Sequence, residues 1–291
     1  MYKRQTIIII DYSAIAIASI FSQDRPEEIE EGLIRHMILN SVRRYNHKFR
    51  EEYGKTVIAC DDHSWRKGPY PQYKANRKKS RDESSLDWSK FFELISMVRD
   101  ELKESMAYPV IRAEGAEADD IIGHLTETTQ DEPILIVSSD KDFFQLHRHS
   151  NVKQFSPMKK DFIKVDDPDF YLFEHICKGD SGDGVPNVLS HDDTFVNGDR
   201  QKPLRAKTIQ GWYESMNMGM LDTDMKADVY RNFCRNKKMI DLRNTPKDIR
   251  EDISRIHNEQ NNKTNEKVFG YLVEKRCNML IASVQDFFVN Q

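Results

Sequence analysis

Thr6-Ile7-Ile8-Ile9-Ile10-Asp11 sets the reading of the whole chain: a β-branched apolar run, then an acid. Similar runs recur at Thr56–Cys60, Val110–Arg112, Ile134–Val137 and Val152–Phe155. Helical spacing separates most of them. Ile34, Ile38, Val42, Tyr45 and Phe49 repeat every three or four positions, as do Trp88, Phe91, Phe92, Ile95, Val98 and Leu102 behind Asp87 as N-cap. Alternating strands and helices predict an α/β fold with a mostly parallel central sheet flanked by helices. Ligands of such folds gather at the carboxyl ends of the strands. Strand signals stop near residue 166. The expected division is therefore an α/β core over 1–166 and a helical region over 167–291, with four or five helices from Ala206 onward. Their loops fall near Met220–Thr223, Asn244–Pro246 and Asn261–Asn265, and polar Ser190–Pro203 reads as a surface loop.

The chain has 291 residues, 38% hydrophobic and 32% charged, with a net charge of −4. That suffices for one large or two modest cores. It argues against a simple basic coat for nucleic acid, but is compatible with carboxylates and lysines gathered in separate places. Cys60, Cys177, Cys234 and Cys277 form no CxxC pair, which argues against structural zinc and for reduced thiols in the cytoplasm. Asp11 interrupts the apolar run too early for a signal peptide, and no stretch approaches a membrane span, so no membrane association is expected.

Asp11 follows the first strand, Asp61 and Asp62 the second, and Asp140 and Asp142 the fourth; Glu117, Asp119 and Asp120 open a helix after the third. A single acid at a strand end is usually a cap or turn residue. Acids at one end of four successive elements would repel each other in a crevice unless a cation joined them. Hard oxygen donors point to Mg²⁺ or Mn²⁺. Asp180 and Asp183, in Gly179-Asp-Ser-Gly-Asp183, bring enough carboxylates for two ions, the arrangement suited to in-line phosphoryl displacement. For Glu117–Asp120 alone, the helix dipole is an alternative explanation.

Seven basic residues and no acid occupy Arg66–Arg81: Arg66, Lys67, Lys74, Arg77, Lys78, Lys79 and Arg81. Trp65, Tyr70 and Tyr73 are interleaved. A run of charge is commonly a solvated face. Directly after a strand-end acid it can also reach the site, neutralise phosphates and contact bases or sugars.

In this order Ile9-Ile10-Asp11, Ala59-Cys60-Asp61, Tyr73-Lys-Ala-Asn-Arg77, Glu117-Ala-Asp-Asp120, Ser138-Ser-Asp-Lys-Asp142 and Gly179–Asp183 nearly span the chain. The ordered set resembles the 5′ nuclease (flap endonuclease) superfamily, within it the ribonuclease H group of T-even bacteriophages. The resemblance implies a PIN-like 5′ nuclease core, a flexible basic arch at about 63–86, and a C-terminal helical region containing a helix–two-turn–helix. It implies two Mg²⁺, with Mn²⁺ able to substitute. Asp11, Asp61, Glu117, Asp119 and Asp140 would surround the first ion and Asp142, Asp180 and Asp183 the second, with Asp120 holding water or a ligand. Lys74 and Arg66 would face the scissile phosphate as catalytic cations. Arg66, Lys67, Tyr73, Lys74, Arg77, Lys78, Lys79, Arg81, Lys202, Arg205 and Lys207 would contact nucleic acid. The implied activity is 5′-3′ exonuclease, flap endonuclease and ribonuclease H cleavage that removes RNA primers in phage replication. A monomer acting on RNA–DNA hybrid and flap or nicked duplex is expected in the infected host's cytoplasm. Single-strand-binding protein and sliding clamp are its implied protein partners.

Two positions depart from the family pattern: Gly184 stands where Asn is usual, and Asn187 where Gly is usual. The Ser190–Pro203 stretch also interrupts the region where two turns should join two helices. The nine histidines show no metal-ligand spacing. Gln285-Asp-Phe-Phe-Val289 resembles a clamp-docking peptide, though packing of Phe287 and Phe288 on the last helices explains it more simply. Two rival functions stay open: a PIN-type ribonuclease, which is usually shorter and lacks an arch, and a catalytically inactive DNA-binding scaffold, which would be expected to lose acids. An aspartyl phosphatase would want a second Asp where Ser13 stands.

Overall fold

The computed structural model describes residues 6–22, 30–129 and 132–289, with the side chains of Lys79 and Ser80 excepted. The expected nucleic-acid contact of the Lys79 side chain therefore lies outside the described residues. Six strands form one sheet: β1 (Ile7–Asp11), β2 (Lys55–Ala59), β3 (Val110–Ile111), β4 (Ile134–Val137), β5 (Val152–Ser156) and β6 (Asp161–Ile163). Their order is β3-β2-β1-β4-β5-β6, parallel except for the antiparallel edge strand β6, which the sequence pattern did not reveal. The helices are α1 (Tyr12–Phe21), α2 (Glu31–Tyr53), α3 (Asn76–Asp82), α4 (Trp88–Ser105), α5 (Ala118–Thr128), α6 (Pro168–Lys178), α7 (Ala206–Asn217), α8 (Leu221–Asp224), α9 (Ala227–Ile240), α10 (Lys247–Glu259), α11 (Val268–Glu274) and α12 (Asn278–Ile281). The Asp87 carboxylate caps α4 by accepting from the Lys90 amide at 2.9 Å. The expected loop at Met220–Thr223 contains the short helix α8. Among the described residues no helix is long and apolar enough to cross a membrane.

Pleating explains why all four isoleucines are apolar. Ile8 and Ile10 pack among α1, α2 and α4, while Ile7 and Ile9 face α5 and α10. Both layers draw on the end of the chain: Tyr271, Leu272, Leu280 and Phe287 complete the first, and Ile249 and Ile253 the second. A third cluster joins Tyr70 and Tyr73 to α6, α7 and α9. Phe287 is fully buried. Asn46 Nδ2 donates to the carbonyls of Asp286 and Phe288 at 2.7 and 3.0 Å, so the tail is built into the core. The packing reading of Phe287 is the one the fold adopts.

Register positions the site. Ile10 pairs with Ile58 on one side and Val137 on the other. The chain therefore leaves β1, β2 and β4 at one edge, within a few residues of Asp11, Asp61 and Asp140. Strand order reverses between β1 and β4, the switch point where α/β sheets open a crevice.

The 179–205 connection between α6 and α7 explains both departures from the pattern. Gly184 has φ +73, a left-handed conformation, and an added Cβ would lie 3.0 Å from Gln72 O, which favours glycine here. Asn187 Nδ2 donates to Lys202 O at 2.7 Å, and its Oδ1 accepts from Ser190 Oγ at 2.9 Å. Asparagine here ties down the inserted loop, which glycine could not. Gly179 also has positive φ, and an added Cβ would lie 2.3 Å from Val185 O. Gly179→Ala is expected to cost at least about 2 kcal/mol and to shift the Asp180–Asp183 loop. Urea unfolding tests this, and an unchanged midpoint would refute it.

Candidate active site

The crevice is walled by carboxylates that the backbone holds in place. Asp11 caps α1 through the Ala14 amide at 3.0 Å, and its other oxygen accepts from Ser138 Oγ at 3.0 Å. Asp61 accepts from the Ala118 amide at 2.8 Å and from the Ser13 hydroxyl. Asp140 Oδ1 accepts from the Asp142 amide at 3.0 Å. Asp119, Asp142, Asp180 and Asp183 converge on one small cavity. Neighbouring Asp62 is instead engaged with Arg112, His63 and the Gly115 amide, as a turn residue.

Electrostatics show how tightly the acids are gathered. Burial first, then the charges of Asp61 and Asp140, push Asp11 up from 3.8 to about 7. Burial with Asp140 and Asp142 pushes Asp119 well above the carboxylate range. Asp142 is raised by burial and Asp140, against the lowering effect of His175. Hard donors crowded until they bind protons fit a divalent cation. An acid with higher proton affinity folded than unfolded gives stability that is complete below its unfolded value and lost as pH rises through its folded one. For Asp11 this window runs from 3.8 to about 7. In EDTA the Tm is expected to be higher at pH 5 than at pH 8 by on the order of 5 °C. Saturating Mg²⁺ should erase that difference; an EDTA profile flat between these values would count against the cluster.

The opposite wall is cationic, and the expected roles of three residues change here. Arg66 is only 2% exposed. Its guanidinium donates to Asp120 Oδ1 and Oδ2 and to Glu117 Oε2, each at 2.9 Å, and to Met239 O at 2.7 Å. Enclosed this way it cannot face a phosphate; it braces the site from below. Asp120 is fully buried and also accepts from Trp65 Nε1, the Glu117 amide and Thr245 Oγ1. With both oxygens saturated, it has nothing to offer an ion. Tyr73 likewise leaves the nucleic-acid surface. It is buried, with its hydroxyl 2.6 Å from Asp183 Oδ2 and 2.9 Å from Glu117 Oε2.

Lys74 Nζ bonds Glu117 and lies 3.4 Å from Asp183 Oδ2. Against burial, Lys74 and Arg66 bring Glu117 down to about 2. Lys74 also has φ +56, a left-handed backbone uncommon outside glycine and held by the hydrogen bond its backbone N–H donates to Asp183 O at 2.7 Å. Arg77 bonds Asp183 as well. The first half of the basic segment is thus packed onto the 179–193 loop, with Tyr70 Oη 2.7 Å from Asp192 O, and does not stand off as a free arch. Lys67, Lys74, Arg77 and Arg81 line a cavity of about 700 Å³ together with Trp88 and Phe92. Lys78 is exposed, as are Lys202, Arg205 and Lys207 at the approach to α7 and in its first turn.

His175 escaped the sequence reading. It lies on α6, remote in sequence from every candidate site acid but Asp180 and Asp183, and the fold brings its Nε2 to 3.1 Å from Asp142 Oδ1. Ser13 and Ser138, which fix Asp61 and Asp11, were missed too, since single serines carry no pattern.

The N-terminal resolvase-like domain of 5′-3′ exonucleases matches residues 6–171, and the C-terminal domain of T4 RNase H matches 167–287. The chain is 32% identical to ribonuclease H of Enterobacteria phage T4, over 98% of this chain and 96% of that protein. It is 30% identical to the flap endonuclease Xni of a Shewanella species, over 44% of this chain and 49% of the relative. In structure it is similar to a bacteriophage T5 flap endonuclease solved with DNA and metal ions. That match has a TM-score of 0.60 and 17% identity, covering 88% of this chain and 99% of the other.

Proposed function

Since the chain belongs to the 5′-3′ exonuclease family, with ribonuclease H and flap endonuclease relatives, we propose that it is a Mg²⁺-dependent 5′ nuclease. Its proposed task is to remove RNA primers from DNA in the cytoplasm of a phage-infected cell. The observation that carries this reading is the convergence of Asp119, Asp142, Asp180 and Asp183 on one cavity, with Lys74 beside Glu117 and Asp183. Asp11, Asp61, Asp119 and Asp140 would hold one cation and Asp142, Asp180 and Asp183 a second, with Glu117 between them and Lys74. Such ions polarise a phosphoryl oxygen and lower the pKa of water.

The protein's own groups supply the rest. Ser13 and the Ala118 amide fix Asp61, and Ser138 fixes Asp11, so the donors are oriented before substrate arrives. Lys74 offers a positive charge at the crevice where phosphate charge would develop. Lys67, Arg77 and Arg81 line the adjoining cavity, where they would neutralise backbone phosphates, Arg81 lying over the rings of Trp88 and Phe92. RNA–DNA hybrid and flap or nicked duplex are the proposed substrates.

The test is cleavage of a 5′-labelled RNA–DNA hybrid and a 5′-flap duplex in Mg²⁺, Mn²⁺ and EDTA. Metal-dependent release of short 5′-phosphorylated products is expected. Intact substrate in both metals, with binding retained, would overturn the reading in favour of a DNA-binding scaffold.

A further inference from the structure

We propose that His175 is a nitrogen ligand of the second cation, together with Asp142 and Asp180, and that this makes the second site favour Mn²⁺ over Mg²⁺. The inference rests on the metal-dependent reading above and concerns a residue outside the acidic pattern. One ligand atom from each of the three side chains lies within 4.8 Å of the others. His175 Nε2 is 3.1 Å from Asp142 Oδ1 and 3.9 Å from Asp180 Oδ2. Ligands at right angles around an octahedral ion with bonds of about 2.1 Å stand about 3 Å apart, and opposed ligands about 4.2 Å apart. The two observed separations fall within that span.

Nε2 is buried and makes no well-aligned hydrogen bond; its close neighbour is Asp142, paired with it at 3.1 Å, the carboxylate that would share the ion. Asp180 uses Oδ1 for the Gly182 and Asp183 amides at 2.7 and 3.2 Å, leaving Oδ2 as its nearer oxygen to His175. Lys178, one turn along α6, pairs with Glu174 at 2.8 Å. Its charge is thus directed to a partner outside the trio. Tyr171 stacks on the imidazole, with centroids 5.9 Å apart and planes at 21°, which sets the ring's orientation. Asp142, His175 and Asp180 share a cavity of about 550 Å³ that could admit an ion with its waters. Imidazole is a softer donor than carboxylate. Replacing one oxygen of the set by nitrogen therefore moves preference from Mg²⁺ toward Mn²⁺ and later first-row ions.

The experiment is Mn²⁺ titration of the full chain without nucleic acid, followed by electron paramagnetic resonance. Pulsed spectra would detect ¹⁴N coupling to the bound ion. Wild type is compared with His175→Gln, with folding checked by circular dichroism and by binding of flap DNA in EDTA. Nitrogen coupling in the wild type, lost in His175→Gln with at least about tenfold weaker binding at one site, would support the assignment. Mn²⁺ bound with no nitrogen coupling, or coupling that survives the substitution, would overturn it and leave the nuclease reading intact. No Mn²⁺ bound by either protein would overturn both.

Discussion

Asp140→Asn is expected to reduce cleavage by on the order of a thousandfold while leaving the fold intact. Asp140 is where charge is most shared: it raises the proton affinity of Asp11, Asp119 and Asp142 alike. Asparagine keeps the volume and an oxygen for the Asp142 amide, now 3.0 Å away. It removes one negative charge from the proposed first cation site. Two readouts separate catalysis from folding. Single-turnover cleavage of a flap substrate should collapse, whereas the Tm in EDTA should stay level or rise, because repulsion is relieved. The rise in Tm on adding Mg²⁺ should shrink in the same variant. Unaltered turnover would remove Asp140 from the catalytic set, and a lower Tm in EDTA would mean that the residue supports the fold.

Lys74→Ala is expected to slow the chemical step by about a hundredfold or more, with substrate affinity changed only a few-fold. The lysine is one of several cations beside the crevice, so phosphate attraction survives without it. None of the others has the same position. Arg66 is enclosed beneath Glu117, and Arg77 is bonded to Asp183. Alanine also leaves Glu117 and Asp183 without this cation, though Arg66 still holds Glu117. The left-handed backbone at position 74 is equally strained for alanine, so the loop itself should not move. Pre-steady-state kinetics beside equilibrium binding in EDTA would check this. A variant that loses affinity and keeps its single-turnover rate would make Lys74 a clamp for substrate.

Local chemistry made much of this protein readable in one dimension. Strands of β-branched residues followed by acids were legible because strand burial and carboxyl-end placement repeat in a parallel sheet. Asp11, Asp61 and Asp140 are consequences of that repetition. The Asp87 cap and the period of α2 and α4 depend on residues within one turn of each other, and they too were visible. The edge strand β6 was not, since three residues, two of them exposed, carry no pattern until β5 pairs with them.

The division of labour among the charges belongs to the tertiary structure. Arg66 and Lys74 look alike in the sequence, as do Asp119 and Asp120, yet one member of each pair is sealed in a saturated network and the other faces the crevice. His175 joins the acids only because α6 packs beside the turn after β4. Sequence determined which residue types reach one edge of the sheet. Whether a charge is spent on the protein or left available depends on desolvation and on partners from 43 to 173 residues away. Only the folded chain brings those together.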